Sequence, residues 1–356
     1  MAAKTLPTLK IGDLEINPPI IQGGMGVRVS GSGLASAVAN EGCAGIIASV
    51  GLGAYEDFSA LEFVELNNNA LRAEIRKARL LSKGIIGVNV MVVLSNYEEL
   101  VKVCVEEKAD IIICGSGLPL DLPKQTAGSN IKLIPIVSSV RALNIIYRKW
   151  KQNHNKVPDA VILEGPMAGG HLGFSYDDII NDKTPALEQL VKELVDFVGT
   201  IEETIPVIAA GGIFDGSDIA KFLKIGASGV QMATRFVCTT ECDVHADFKQ
   251  ASITARKDDI AIIKSPVGLP GRVILNEFTK RVTKGETIPF KCPYHCLRSC
   301  NPHTAPYCIA RVLADASKGR LLNSFVFAGT NAYRCTEIVS VKTLIDQLKE
   351  ELSNSF

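Results

Sequence analysis

Short apolar runs alternate with amphipathic stretches along most of the chain. Eight runs are four to six residues long and apolar at nearly every position, as expected of strands that are covered on both faces. They occupy residues 19–22, 44–48, 85–90, 110–114, 132–137, 159–163, 205–209 and 229–232. The stretches between them predict helices over residues 33–40, 61–81, 97–108, 141–150, 186–199 and 216–225, and Asp215 is the predicted N-cap of the last one.

This alternation of strands and helices predicts a parallel sheet in the α/β class. Eight units by about residue 235 indicate a (β/α)8 TIM barrel, with an open doubly wound sheet as the alternative. We therefore expect three parts. They are a barrel over residues 1–240, an insertion or lid with a Cys-rich segment over 241–320, and a C-terminal segment with a helix over 321–356 that packs back on the barrel.

The insertion is the least regular part of the pattern. Residues 250–290 indicate a partly helical segment, and residues 265–272 form a loop that either covers the barrel rim or only connects two elements. Residues 340–352 have apolar positions at helical spacing, which predicts an amphipathic helix docked on the barrel.

Small residues collect directly after the predicted strands, where TIM barrels carry their active sites. Residues 22–26 read Gln-Gly-Gly-Met-Gly, and glycines and small polar residues also follow the seventh and eighth strands at 210–213 and 233–235. Glycines before a helix suit a phosphate that is held by backbone N–H groups. The loop at 164–174 combines four glycines with His171, a residue type that changes its charge near neutral pH. This rim is the predicted site of a phosphate-bearing ligand, and His171 is the candidate catalytic residue.

Composition excludes several classes of partner. The 38 basic and 38 acidic residues cancel, which argues against nucleic acid. The sequence has no run of 18 apolar residues of the kind that would predict a membrane span, and residues 1–7 lack the apolar core of a signal peptide. We therefore expect a cytoplasmic protein. Ten cysteines in such a chain indicate free thiols or metal ligands.

Three motifs together resemble the nitronate monooxygenase family, formerly called 2-nitropropane dioxygenase, which is related to the FMN-dependent enoyl-ACP reductase. The motifs are residues 22–26, residues 168–173, and the pair 209–213 with 229–236. The resemblance covers roughly residues 10–240 and implies a TIM barrel that binds one non-covalent FMN.

The resemblance also implies roles for individual residues. His171 matches the family's active-site histidine, and Met167 stands where the family more often has an acidic residue, so no carboxylate role is carried over at that position. The implied FMN contacts are the ring positions Gly24, Met25 and Asn89, the phosphate positions Gly211, Gly212, Ala233 and Thr234, and the adjacent Gly23, Gly169, Gly170 and Gln231.

The implied reaction oxidises an alkyl nitronate with dioxygen to a carbonyl compound and nitrite. His171 would either deprotonate a neutral nitroalkane or, when protonated, bind the anionic nitronate. Ser116 and Ser138 are candidates for hydrogen bonds to substrate oxygens, or alternatively cap strand ends. The alternative activity is an NAD(P)H-dependent FMN reductase of enoyl thioesters, and a third reading is a non-catalytic flavin-binding or iron–sulfur electron-transfer module. A homodimer is one candidate assembly.

Four cysteines fall close together after the barrel. Cys292, Cys296, Cys300 and Cys308 have the spacing C-x3-C-x3-C-x7-C. An iron–sulfur cluster, a structural zinc ion, and reduced thiols packed on the barrel all stay open. Common zinc sites and ferredoxins use C-x2-C, so the spacing alone does not choose among the three.

Overall fold

The computed structural model describes residues 6–53, 60–292 and 294–356, and the first five residues of the predicted barrel segment lie outside this part. Its strands are β1 Leu9–Ile11, β2 Leu14–Ile16, β3 Ile20–Gln22, β4 Gly45–Ala48, β5 Ile86–Met91, β6 Ile111–Gly115, β7 Lys132–Val137, β8 Val161–Glu164, β9 Gly170–His171, β10 Val207–Ala210, β11 Gly229–Met232, β12 Ile260–Lys264, β13 Pro270–Ile274 and β14 Val326–Phe327.

The helices lie mostly between these strands. They are α1 Ser32–Asn40, α2 Ala60–Leu81, α3 Tyr97–Glu106, α4 Leu122–Gln125, α5 Val140–His154, α6 Tyr176–Ile180, α7 Leu187–Val198, α8 Gly216–Ile225, α9 Thr234–Val237, α10 Ala246–Thr254, α11 Glu277–Thr283, α12 Ile309–Ser317 and α13 Val341–Asn354. None of the helices in the described ranges is long and apolar enough to cross a membrane.

Eight parallel strands form the barrel. Their order is β3-β11-β10-β8-β7-β6-β5-β4, and a parallel bridge between Ile21 and Ala44 joins the first strand to the last. The Gln22 amide donates to the Ala44 carbonyl at 3.0 Å across this seam. The predicted TIM barrel is therefore confirmed, and each predicted barrel strand lies within one or two residues of an observed one.

The continuous apolar runs are explained by two separate cores. Ile111 and Ile113 of β6 point into the barrel, where the β1–β2 hairpin supplies further apolar side chains. Ile112 and Cys114 point outward and pack under the helices. Because both faces of a barrel strand are covered, successive residues must all be apolar.

A capping residue and helical spacing in the sequence also predicted helices that the structure contains. Asp215 accepts a hydrogen bond from the Asp218 amide at 3.0 Å and caps α8, as predicted. The predicted C-terminal helix is α13, which packs against α8 and α1. Its Glu351 accepts a hydrogen bond from the Gly216 amide at 2.7 Å, so the last helix is tied to the first turn of α8.

The segment after the barrel contains more strand than the sequence predicts. Residues 250–290 were expected to be partly helical, but they also contain the antiparallel hairpin of β12 and β13. β13 pairs further with β14 and with β9, so Gly271 lies opposite His171. The prediction missed this hairpin although its two strands are neighbours in the chain, and the further pairing of β13 with β14 and β9 joins distant segments that a local pattern does not connect. Residues 265–269 of the loop predicted at 265–272 connect β12 to β13, and coverage of the rim by this loop stays a prediction.

Candidate active site

A cavity of about 290 Å³ lies at the carboxyl ends of the barrel strands. Its wall contains every predicted FMN-binding residue, the candidate catalytic histidine and one of the two candidate serines: Gly23, Gly24, Met25, Asn89, Ser116, Gly169, Gly170, His171, Gly211, Gly212, Gln231, Ala233 and Thr234. Ser138 is not part of the wall. Its hydroxyl donates to the Gly173 carbonyl at 3.3 Å, so the structure does not place it beside the cavity.

One end of the cavity is a tight turn of backbone. Gly211 and Gly212 follow β10 with φ of +99° and +82°, a conformation that favours glycine. A Cβ atom on Gly212 would lie 2.9 Å from the Cβ of Met167. The Asn331 side chain donates to the Gly212 carbonyl at 2.6 Å and thereby joins the C-terminal segment to this turn. The result is a concave surface of backbone groups and small side chains.

A second part of the wall is closely packed. A Cβ on Gly24 would lie 2.4 Å from the Cβ of Asn89, so the two residues touch with no room for a side chain between them. Gln231 at the end of β11 carries a buried side-chain oxygen that has no hydrogen-bond partner among the described residues. Such an atom is costly unless a bound group donates to it.

His171 lies in β9 and is held on two sides. Its Nε2 is 2.7 Å from the hydroxyl of Ser265, and its ring makes an edge contact with Phe327 at a centroid distance of 5.0 Å. Burial lowers the pKa of His171 to about 4, so the imidazole is uncharged at neutral pH. Sequence reasoning did not single out Ser265 or Phe327, since both reach the site through the β13 sheet.

Glu164 is a second titratable group in the cavity wall, at the end of β8. No hydrogen bond or ion pair of its carboxyl group is found in the part of the chain that the structure describes. Burial raises its pKa to about 7, which keeps the acid protonated well above its ordinary range. The sequence analysis assigned Glu164 no role. The available signal was an apolar strand that ends in one acidic residue.

The Arg272 side chain forms hydrogen bonds with the loop at residues 164–174. It is only 8% exposed, and one guanidinium nitrogen donates to the carbonyls of Pro166 at 2.6 Å and Ala168 at 2.5 Å. Burial lowers the pKa of Arg272 to about 10, so the side chain still carries its charge at neutral pH. The sequence analysis missed this residue because nothing in the local pattern distinguishes it from an exposed arginine.

The C-terminal segment closes one side of the cavity. Phe327, Ala328, Gly329 and Asn331 all contribute to the wall, and the Gly329 amide donates to the Thr234 hydroxyl at 3.2 Å. These residues were also missed. A small and polar run of the type Ala-Gly-Thr-Asn after a short apolar segment is the signal that would have marked them.

Of the four predicted metal ligands, Cys296 lies in the cavity wall, whereas Cys292, Cys300 and Cys308 are not among the residues that line it. Within the described ranges, no group of three or more His, Cys, Asp or Glu side chains is arranged to hold a metal ion.

Comparison with known proteins gives a consistent result. The chain matches the family model described as nitronate monooxygenase over residues 8–351. It is 28% identical over 309 residues to a probable nitronate monooxygenase of Staphylococcus aureus (strain MSSA476), an alignment that covers 77% of this chain and 79% of that protein.

A further relative and a solved structure carry other names. The chain is 29% identical over 273 residues to the (3aS,4S,5R,7aS)-5-hydroxy-7a-methyl-1-oxo-octahydro-1H-indene-4-carboxyl-CoA dehydrogenase of Mycobacterium tuberculosis, covering 76% of this chain and 67% of that protein. It is also similar to the structure of FabK from Thermotoga maritima, with a TM-score of 0.75, 30% identity, and coverage of 95% of this chain and 93% of that one. This chain thus spans about two thirds of the length of the mycobacterial relative.

Proposed function

This chain belongs to the nitronate monooxygenase family, and on that premise we propose that it is an FMN-dependent oxidoreductase that oxidises alkyl nitronates with dioxygen to carbonyl compounds and nitrite. The observation that carries the proposal is the cavity at the barrel mouth. It brings the glycines of three separate motifs and His171 into one wall.

The residues of this wall fit an FMN. The glycine turn at Gly211 and Gly212, with Thr234 beside it, suits a phosphate because backbone N–H groups can approach it closely. The unpartnered oxygen of Gln231 would accept a hydrogen bond from an N–H group of the flavin ring. Gly24 and Asn89, packed against each other, would lie along the ring.

Bound there, the flavin would supply the redox chemistry by taking electrons from the nitronate and passing them to dioxygen. The chain itself must orient the substrate and handle its proton. His171 is uncharged at neutral pH, which favours its action as a proton acceptor toward a nitroalkane over the binding of an anion by a charged imidazole. For Nδ1 to accept this proton, Nε2 must carry the ring hydrogen and donate it to the Ser265 hydroxyl.

Glu164 would complement His171. Below a pH of about 7 its carboxyl group is protonated and can donate a hydrogen bond to an oxygen that gains negative charge. Ser116, which also lies in the wall, would donate to a second oxygen of the substrate. Ser138 has no part in this proposal because its hydroxyl is directed to the Gly173 carbonyl.

Reduction of an enoyl thioester is the second candidate function. Two observations favour it, namely the 30% identity to FabK across 95% of this chain and the CoA thioester in the name of the mycobacterial relative. In that case a nicotinamide would reduce the flavin, and His171 would hydrogen-bond the thioester carbonyl. The same cavity would serve both reactions.

We further propose that residues 241–320 act as a lid on a barrel domain of residues 1–240, and that residues 321–356 close its side and pack back on it. The contacts that support this are the pairing of β13 with β9, the edge contact of Phe327 with His171, and the position of Cys296 in the cavity wall.

Anaerobic reduction of the purified protein tests the proposal. The yellow chain is mixed without oxygen with propyl nitronate, NADH or NADPH, and its flavin absorbance is followed. We expect bleaching by the nitronate alone, with turnover when air is admitted. Bleaching by a nicotinamide alone would instead support the enoyl-thioester reductase. A protein that contains no flavin after purification and binds none when FMN is added would refute both candidate functions.

A substitution of His171 and a matched control test the role of this residue. His171→Ala should keep its flavin and lose turnover of the neutral nitroalkane by about 10²- to 10⁴-fold, because a general base contributes that much to removal of its proton. His154→Ala is the matched control, since this histidine ends α5 outside the cavity wall. Equal turnover in the two variants would remove His171 from the mechanism.

A further inference from the structure

Part of the cavity wall is used neither by the proposed FMN contacts nor by the proposed reaction. The FMN contacts come from the carboxyl ends of barrel strands and from the loop around β9. Another part of the wall comes from α3 and the loop before it, from α10, and from the segment that leads into α12. It contributes large apolar side chains, which we call the apolar patch: Leu94, Leu100, Phe248, Leu297, Ile309 and Leu313.

Two helices outside the barrel turn one face each toward the cavity. On α12 the wall residues are Ile309, Ala310 and Leu313, which lie on one side of the helix because positions three and four apart are neighbours. On α10 they are Phe248 and Ser252, again four positions apart. Both helices therefore present a consistent surface to the cavity.

The apolar patch borders the barrel on one side and the candidate catalytic residue on the other. An isolated bridge pairs Leu94 of the barrel with Leu297, so these two members of the patch lie together. The helix that carries Phe248 packs against β14, and Phe327 of β14 makes the edge contact with the His171 ring at 5.0 Å. One element thus separates α10 from the histidine, which suits a substrate whose reacting end is held at His171 and whose chain extends along the patch.

The wall also lacks a positive side chain. Among the residues that the structure describes, it contains no lysine or arginine and one carboxylic acid, Glu164. Nearby cations are engaged elsewhere. Arg272 donates to loop carbonyls, and the buried Lys249 donates to the carbonyls of Thr239 and Thr240 at 2.7 Å and 3.1 Å. A charge that is buried without a partner is costly, so an anionic substrate tail would find no compensation here.

We propose that the apolar patch is a specificity site for the alkyl chain of the substrate, so that the cavity takes nitro compounds with an extended apolar chain and rejects those whose chain ends in a carboxylate. The inference rests on the proposed function for the nitro end, which His171 and Ser116 would hold. The patch adds the choice of chain. Each CH2 group that moves from water to the patch should raise kcat/KM about two- to fourfold until the patch is filled.

A pair of compounds with the same shape tests the charge part of the proposal on the unaltered chain. In 4-methyl-1-nitropentane an isopropyl group replaces the carboxylate of 4-nitrobutanoate. Each compound is offered in its nitro form to the FMN-loaded full-length chain in air. We expect kcat/KM to be on the order of 100-fold higher for 4-methyl-1-nitropentane, because the carboxylate loses its water without gaining a cation. Equal values, or a higher value for 4-nitrobutanoate, would overturn the proposal.

The length of the chain is tested in the same assay. From nitroethane through 1-nitropropane and 1-nitrobutane to 1-nitropentane, kcat/KM should rise about two- to fourfold per CH2 group. A series without such a rise would show that the patch does not bind the chain, and would overturn this part of the proposal.

Binding measurements separate this inference from the proposed function. If neither member of the matched pair is oxidised, the proposed function has failed, and the affinities of the two compounds for the FMN-loaded chain then decide the inference. Calorimetry should give binding of 4-methyl-1-nitropentane that is tighter by about tenfold or more. Equal affinities, tighter binding of 4-nitrobutanoate, or no binding of either compound would overturn the proposal.

Variants of α12 then test the location of the chain. Leu313→Lys adds a cation to the patch and should raise kcat/KM for 4-nitrobutanoate, relative to 4-methyl-1-nitropentane, by about tenfold. Leu322→Lys is the matched control, because this leucine is 87% exposed and outside the cavity wall, and it should leave the ratio unchanged.

A smaller substitution covers the case in which Leu313→Lys folds poorly, which its flavin content would reveal. Leu313→Ala should lower kcat/KM for 1-nitropentane about fivefold and leave that for nitroethane nearly unchanged, because only the longer chain reaches α12. If neither variant changes these ratios, the assignment of the apolar patch to the substrate chain is refuted.

Discussion

Glu164 should make the stability of the folded chain depend on pH, and replacing it with glutamine should remove that dependence. The carboxyl group is buried in the cavity wall, and burial raises its pKa from 4.5 to about 7. Below pH 4.5 both the folded and the unfolded chain keep the proton. As the pH rises from 4.5 to about 7, the unfolded chain loses the proton first, so the free energy of unfolding falls. Above about 7 the loss is complete and constant.

The size of the effect follows from the shift in pKa. One unit corresponds to about 1.4 kcal/mol, so a shift from 4.5 to about 7 amounts to at most about 3 kcal/mol. Water that enters the cavity would reduce this figure, because the carboxyl group faces the cavity. Glutamine has the same shape and no charge at any pH, so Glu164→Gln should show a free energy of unfolding that changes less with pH.

Urea unfolding of the flavin-free chain at about pH 5 and about pH 8 measures this difference. Between these values the unaltered chain should lose about 2 to 3 kcal/mol more than Glu164→Gln. His171 acts in the opposite sense, since its lowered pKa weakens the folded state as the pH falls from 6.5 toward 4. That contribution is present in both proteins and cancels. Glu65→Gln, an exposed position on α2, is the control. Equal pH dependence in the unaltered chain and Glu164→Gln would refute the reasoning.

Three further substitutions test the packing of the site. Gly24→Ala should lose flavin during gel filtration, because its new Cβ would lie 2.4 Å from the Cβ of Asn89. Gly23→Ala is the control and should keep most of its flavin, because its Cβ would lie 3.3 Å from the Cβ of Ala233. Equal flavin retention in the two variants would contradict the proposed close approach. Arg272→Met should lower the free energy of unfolding by about 2 to 4 kcal/mol in urea titrations, because the carbonyls of Pro166 and Ala168 lose a charged donor. A loss under about 1 kcal/mol would show that the loop does not need the guanidinium group. Ser265→Ala should lower kcat/KM about fivefold at constant flavin content, because the hydrogen bond to His171 contributes about 1 kcal/mol. Unchanged kinetics would remove Ser265 from the positioning of that ring.

Sequence reasoning was most successful where neighbouring residues set the outcome. The strand at 229–232 has the observed bounds of β11, and Asp215 was identified as the cap of α8 because a capping side chain acts within three residues. The family and the barrel are both confirmed. The placement of the glycines at one rim followed from the barrel topology, in which all eight strands end on the same side. The roles assigned to these residues stay predictions.

Reasoning failed where a residue acts through a distant part of the chain. β13 forms a hairpin with the neighbouring β12, but it also pairs with β9 about a hundred residues earlier, and no local pattern contains that second pairing. The same pairing brings Ser265 to His171. Glu164 was overlooked because its chemistry comes from burial, which depends on the elements that cover it and not on its neighbours in sequence.

For this protein the sequence alone determined the elements, their order and the rim on which the active site lies. These follow from side-chain periodicity and from glycines and caps that act within a single turn. Only the tertiary structure decided which side chains share the cavity and which of them are neutral. Distances and local dielectric depend on contacts between segments far apart in the chain, and a linear pattern does not encode those contacts.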